Sequence, residues 1–276
     1  MRITGKSTFV AAVLCSGLVL LAGCARLQSN DQMNKGVIAF KNNHYPEAVR
    51  HFKEAVRLDP NNTNAQAYLA TSYFIQWVPG ADSPDNKKNY DMAQTEFQKI
   101  LQKDPSNSQA LASMASMAYN KATTSNPEQR KAAFEEARKW NERRIEVDPK
   151  DAEAYYYLGV IDYYDALADI QTARVNGKLS PNDPGPLKDQ KVKEELKEKY
   201  QKSIDSGLEQ LKKALGIDKE NEDAMSYINL LLREKAALAD DADQAKALAN
   251  EANDWMEKSL NMKRIKAARP QKQQAS

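Results

Sequence analysis

Between Tyr45 and Pro60 the apolar positions fall four and three residues apart. Ala48, Phe52 and Ala55 share one face of a helix. Pro60 stops that helix, Asn61 and Asn62 are set to cap the next, and apolar residues resume at Ala65, Leu69 and Tyr73. Small alanines at the crossings let two helices approach closely, with Phe52 filling the space between them. The pattern then returns. Ala93, Phe97, Ile100 and Pro105 keep the spacing of Ala48, Phe52, Ala55 and Pro60. Ala137 and Asp148-Pro149 mark a third unit, where Asn141 and Arg144 stand at the apolar positions and Trp140 is expected to fill the gap. Gly207, Leu211 and Ala214 make a fourth, with Lys219 where Pro would stand. Ala252, Met256 and Ser259 make a fifth, and Ala252-x-x-Trp255 echoes Ala137-x-x-Trp140.

This arrangement resembles the tetratricopeptide repeat, a 34-residue helix-turn-helix with small, aromatic and Pro signposts. The first helices match as well: Leu69-Ala70 and Leu158-Gly159 fit the family's Leu-Gly pair, and Gly36 keeps its second member. The resemblance implies an all-α, right-handed superhelical solenoid of about five helix pairs, with no strands. Repeats are expected at about 29–62, 63–107, 108–151, 152–221 and 222–264, followed by a basic tail at 265–276. A single unit cannot bury its own apolar stripe, so neighbours must stack on it. Phe52, Leu69, Tyr73, Phe97, Leu158, Leu211 and Ala214 are therefore expected in the core.

The period departs from the family. The small positions 48, 93, 137, 207 and 252 give steps of 45, 44, 70 and 45 residues. The extra residues fall between the first and second helix of a unit: at Val78–Pro84, around Thr123–Pro127, and at Val175–Pro186. The last holds three Pro and two Gly in twelve residues, and is expected to be non-helical throughout. Such insertions either gather on a binding edge or are simply longer loops; the pattern alone fits both.

Ahead of the repeats, Arg2 and Lys6 precede a 14-residue apolar run, Phe9 to Ala22. As a helix it would rise about 21 Å, short of the ~30 Å hydrocarbon core, and so it reads as a signal-peptide segment over residues 1–23. The run ends in Leu21-Ala22-Gly23-Cys24, which resembles the bacterial lipobox. That resemblance implies lipidation of Cys24, a short linker at 24–28, and a membrane anchor. Ala25 in place of the usual retention Asp favours the outer membrane, facing the periplasm. The competing reading is an ordinary secretory peptide cut nearby. Gly5-Lys6-Ser7 imitates the end of a phosphate-binding loop, but the chain starts too late for the preceding Gly and strand.

The formal charge is +2, which excludes polyanion binding by bulk charge and with it a nucleic-acid partner. The charge is uneven: Lys258, Lys263, Arg264, Lys266, Arg269 and Lys272 follow one another with no acid among them. These bases suit either the negative end of a helix dipole and a frayed tail, or an anionic surface. Two Cys and two His leave little for metal or covalent chemistry. His44, Glu47 and His51 could share one helix edge around a metal, but Glu47 is ordinary helix-start chemistry. No nucleophile, base and orienter share a recognisable spacing. Neither an enzyme, a cofactor nor a metal site is expected.

The tetratricopeptide resemblance places a concave groove on the first helices. By register it takes Asn64, Ala67, Thr71 and Phe74, then Gln109, Ser116 and Tyr119, then Glu153, Tyr156, Val160 and Tyr163. Tyr155, Tyr156, Tyr157, Tyr163 and Tyr164 crowd ten residues of one helix, with Tyr155 at the family's aromatic core position. Such a face either anchors a peptide or pads the core between helices. Two functions follow. One is a membrane-anchored envelope scaffold that docks a protein or peptide partner in the groove, a role suited to assembly of an envelope complex. The other is an envelope glycan or lipid binder using the Tyr rings and the basic end.

Overall fold

The computed structural model describes residues 7–180 and 183–269, with side chains from Cys24 onward. Arg2, Lys6, Lys272 and the rest of the tail beyond Arg269 lie outside the described residues, as do the side chains of the apolar run. The described residues form ten helices and no strand. They are α1 (Ser7–Lys41), α2 (Tyr45–Leu58), α3 (Thr63–Gln76), α4 (Pro84–Lys103), α5 (Ser108–Thr124), α6 (Pro127–Val147), α7 (Ala152–Asn176), α8 (Gln190–Ile217), α9 (Glu222–Ala237) and α10 (Ala242–Ala268). The all-α fold and the five pairs therefore hold. Residues 24–28 are helical, within α1.

One turn chemistry joins each pair to the next. At Asp59, Asp104, Asp148 and Asp218 the helix ends and the Asp carboxylate accepts the N–H two residues on, at 3.0, 3.2, 2.9 and 3.0 Å. Three residues after each Asp, an Asn or Asp side chain caps the following helix. Asn62, Asn107, Asp151 and Asn221 accept the N–H groups of Ala65, Ala110, Ala154 and Ala224. Each cap satisfies one of the donors a helix start leaves open. The fourth turn keeps this geometry with Lys219 in place of Pro, because the two carboxylate or amide side chains set the turn.

The helices divide into two compact units, Met1–Ser125 and Asn126–Ser276. In the first, α1 packs on α2, α2 on α3, α3 on α4 and α4 on α5. In the second, α6 packs on α7, α7 on α8 and α9, α8 on α9, and α9 on α10. The third pair is split between the units, α5 belonging to one and α6 to the other.

Every residue expected in the core is buried: Phe52, Leu69, Tyr73, Phe97, Leu158, Leu211 and Ala214. The glycines show how closely the hairpins approach. A Cβ on Gly36 would sit 2.5 Å from the Phe52 ring, and one on Gly159 would sit 2.5 Å from Leu211 Cγ. The filling of the third unit differs from expectation. Trp140 is only half-buried, with the Arg143 guanidinium 5.0 Å over its ring. Asn141 and Arg144 themselves occupy the core positions, because their polar atoms are satisfied there. Asn141 donates to Ala137 O at 2.9 Å, and Arg144 donates to Asn141, Asp151 and Glu153. Tyr155 is likewise half-buried rather than core, with Lys213 over its ring.

The extra residues mostly lengthen helices. Helices α2 and α3 have 14 residues each, whereas α6, α7 and α8 have 21, 25 and 28. Around Thr123–Pro127 only Ser125 and Asn126 interrupt the helices, so the insert expected there is helical growth rather than a loop. Val175 and Asn176 also stay helical, and Gly177 ends α7. Residues 78–83 do form a loop, stitched by Asn86, whose side chain bonds Val78 N, Val78 O and Ala81 O at 2.7–2.9 Å.

Candidate functional site

In Met1–Ser125, three of the register residues converge. Asn64, Ala67 and Gln109 line one cavity of about 200 Å³ between α3 and α5, floored by Phe97 and Ile100 of α4. Thr71, Phe74, Ser116 and Tyr119 are half-buried on the same two first helices. The Phe74 ring leans on Trp77 and Phe97 at 6.1 and 6.4 Å, so part of it serves the core.

In Asn126–Ser276, α7 and α9 are the first helices of adjacent pairs and pack directly. Tyr156 and Tyr163 both meet Tyr227 of α9 edge-to-face, at 5.8 and 5.5 Å. All three rings are half-buried against the core of this unit. They pad the helix interface with one side, as the core reading expected, and keep a partly open edge. Burial raises the Tyr156 hydroxyl well above its ordinary range, and burial together with the Glu234 carboxylate pushes Tyr163 up to about 12. Both are neutral hydrogen-bonding groups at physiological pH.

Val160 does not belong to an accessible groove. It is fully buried, as are Ile161 and Asp162 beside it. Helix α7 is enclosed by α6, α8 and α9, and an enclosed helix buries consecutive residues. Glu153 is exposed but committed, accepting Arg144 Nη2 at 2.6 Å.

Carrying the register one repeat further adds residues that the sequence reading stopped short of. The positions of Glu153, Tyr156, Val160, Tyr163 and Tyr164 on α7 correspond to Asp223, Ser226, Leu230, Arg233 and Glu234 on α9. Leu230, Arg233 and Glu234 line a cavity of about 190 Å³ with Tyr163, Gln171 and Arg174 of α7. Residues 183–184 of the long insert close one side of it. The insert is held there by Arg174, which donates to Ser180 O and Asp183 O, and by Leu187 N, which donates to Ala237 O at 2.8 Å. The insert thus borders this cavity.

A larger cavity of about 410 Å³ lies among α6, α7 and α8, with Phe134 stacked on Tyr164 at 5.3 Å. Much of its lining comes from the lengthened parts of the helices. Its ions answer one another: Arg138 pairs with Asp162 at 2.7 Å and Lys199 with Asp169 at 2.8 Å. Burial raises the Asp162 carboxyl against the pull of Arg138.

The basic end is largely neutralised within the fold. Lys263 pairs with Asp223 at 3.4 Å, Lys266 with Glu222, and Arg269 with Glu220 at 2.7 Å. Lys258 lies over the Trp255 ring at 4.2 Å. At the other end, Cys24 is a free, exposed thiol on α1. His51 bonds Gln32 at 2.7 Å, and both histidines come within 4 Å of Glu47. Among the described residues no group of side chains forms a metal site, and no helix is long and apolar enough to cross a membrane.

The tetratricopeptide repeat family model matches residues 32–62. No curated protein matches the chain. Among solved structures, the crystal structure of MamA protein is similar over 88% of this chain and 96% of its own, at 19% identity with a TM-score of 0.51. MamA 41-end from Desulfovibrio magneticus RS-1 is similar over 87% of this chain and 98% of its own, at 18% identity and a TM-score of 0.51. At such identities the likeness concerns the fold. The chain is an all-α helical-repeat protein of tetratricopeptide-like fold, with the family's own signature in its first repeat.

Proposed function

We propose that the protein is a membrane-anchored envelope scaffold that binds a partner polypeptide along its first helices. The carrying observation is the α7–α9 face, where Tyr156, Tyr163 and Tyr227 present ring edges beside polar groups of both helices. Aromatic anchors flanked by directional polar contacts suit a peptide. The cavity holding Asn64, Ala67 and Gln109 offers a second contact of the same kind. No step of this reading requires catalysis. In this reading the anchor is a lipid on Cys24, and Ala25, in place of the usual retention Asp, favours the outer membrane with the chain facing the periplasm. Glycan or lipid binding draws little support, since the bases on which it relied are paired with Glu220, Glu222 and Asp223.

The test has two arms. Crosslinking from membranes identifies the partner, and Tyr156→Ala and Tyr163→Ala in the folded protein should each reduce its capture. Unchanged capture in both, with loss on changes to the second helices, would place binding elsewhere. For the anchor, Cys24→Ser should release the protein from the membrane fraction; a variant that still floats at the original level excludes lipidation.

A further inference from the structure

The cavity between α7 and α9 is lined by two cations, Arg174 and Arg233, and two acids, Asp183 and Glu234, and neither cation is ion-paired to either acid. Arg174 donates only to the backbone carbonyls of Ser180 and Asp183. Arg233 donates to the side-chain oxygens of Asn229 and Asn253, at 3.3 and 2.7 Å. Neither guanidinium makes an ion pair with a carboxylate among the described residues, although Arg174 lies near enough to Glu234 to act on its charge. They come from different repeats, 59 positions apart, and line the same cavity.

Glu234 shares the lining with them. Its side chain is 3% exposed. One oxygen accepts Gln171 Nε2 at 3.0 Å, and the other, Oε2, is buried without a hydrogen-bond partner. A buried carboxylate with one unsatisfied oxygen is costly, whereas a carboxylic acid needs fewer partners. The groups around it are Tyr163, Gln171 and Arg174 of α7, Arg233 of its own helix and Asp183 of the insert. The Asp183 carboxylate is occupied by Gly185 N at 3.0 Å. On the α8 side Asp205 is paired with Lys235 at 2.6 Å, and α10 contributes Ala249 to the lining. Burial pushes the Glu234 carboxyl up to about 7, against the pulls of Gln171 and Arg174.

We infer that this end of the α7–α9 groove takes an acidic side chain of the bound polypeptide, held by the Arg174 and Arg233 guanidiniums, and that Glu234 takes up a proton as it docks. The inference rests on the groove reading above and gives the partner a chemistry: a ring or branched side chain against Tyr163, followed by Asp or Glu. Guanidinium forks suit carboxylates geometrically as well as electrostatically. A further carboxylate brought into the cavity disfavours the ionised form of Glu234, so docking of the acid and protonation of Glu234 favour each other. Linkage is reciprocal: the acid raises proton affinity, and the proton raises affinity for the acid. Binding of the acid therefore weakens as pH rises through neutrality.

The test is a nuclear magnetic resonance titration of the full chain in detergent with acetyl-Phe-Glu-amide, acetyl-Phe-Gln-amide and acetyl-Phe-Lys-amide. At about pH 6 the Glu probe should bind roughly tenfold tighter than the Gln probe and shift the side-chain signals of Arg174 and Arg233. By about pH 8 that preference should fall severalfold. Arg233→Gln should erase the preference, and Glu234→Gln should keep it while removing its pH dependence. Equal binding of the Glu and Gln probes, a preference for Lys, a pH-independent preference in the unaltered protein, or no binding of any probe overturns the inference. If the probes fail but Tyr156→Ala and Tyr163→Ala still lose the partner, the groove reading stands without its acid. If the probes behave as expected while capture ignores both tyrosines, the pocket stands and the groove reading falls.

Discussion

In Met1–Ser125 the spaces between helices are filled by rings; in Asn126–Ser276 several are filled by ions. Phe52 and Phe97 are enclosed completely, Phe52 stacking on Tyr68 at 5.2 Å and Phe97 meeting Phe74. Glu96 is the one buried charged residue described in that unit, paired with Lys99 at its edge. The second unit buries Arg144, Asp162, Lys193 and Glu234. The difference has more than one source: Arg144 stands at a stripe position of α6 and Glu234 on the 16-residue α9, whereas Lys193 lies in the first turns of the 28-residue α8. Helices of 14 residues need only the small-aromatic-small stripe to close a hairpin, and α2 carries it in full. Helices of 25 and 28 residues run on past that stripe, and the first turns of α8 bury Lys193, which donates to Asp240 O. A ring interior stabilises by burial alone. An ionic interior adds little net stability but loses much when one partner goes. The candidate site belongs to the ionic unit.

Truncating a ring should produce the largest effect. Phe52→Ala empties a fully enclosed site against which Gly36 packs, and should cost about 3–5 kcal/mol in chemical denaturation. A cost below about 1 kcal/mol would mean that the hairpin collapses onto the space, and the contrast between the interiors would weaken.

Next comes the ionic counterpart. Arg144→Ala strips the partner from Asn141 and Asp151 and should cost about 2–4 kcal/mol. The double change Asn141→Leu with Arg144→Ala restores the apolar pattern of Phe52 and Ala55. It should cost less than the single change, because no buried amide is left unpaired. A double variant less stable than the single would show that the ions contribute more than the apolar pattern can.

A smaller effect tests Glu234 through pH. Below the ordinary carboxylate value of 4.5 the group is protonated in both folded and unfolded chains. Between 4.5 and about 7 the unfolded chain has released the proton and the folded one retains it, so stability falls as pH rises. Above about 7 the penalty is complete, on the order of 3 kcal/mol at most. Glu234→Gln should flatten this part of the profile and stabilise the protein by about 1–3 kcal/mol at pH 8. An unchanged slope in thermal melts across that range would show that Glu234 is not its source.

The smallest effect concerns the turns the two units share. Lys219→Pro should be tolerated and stabilise by about 0.4–1 kcal/mol, since three sister turns carry Pro there. Destabilisation would show that the fourth turn, in the ionic unit, has a backbone of its own.

The helix pairs, their order and the core stripe were all legible in the residues. Spacings of four and three place Ala48, Phe52 and Ala55 on one face, and Asp followed three residues later by Asn or Asp ends one helix and starts another. These are local effects: a helix face and a cap depend on neighbours within a few positions. The Arg233 and Glu234 positions were also legible, through the same register carried one repeat further.

What lay beyond the residues was decided by packing across tens of positions. The sequence offered Trp140 as the filler of the third unit, but the tertiary structure selected Asn141 and Arg144, because Asp151 and Glu153 lie within reach of the guanidinium. The register opened Val160 to a groove, and the enclosure of α7 by three helices closed it. The sequence placed the extra length in inserts between helices, either a binding edge or longer loops; the structure put most of it into α6, α7 and α8, of which α7 and α8 pack along each other. Sequence periodicity determined which side of each helix is apolar. Which residues share a cavity, and which charges remain unmatched within it, depended on how far apart in the chain two helices could meet.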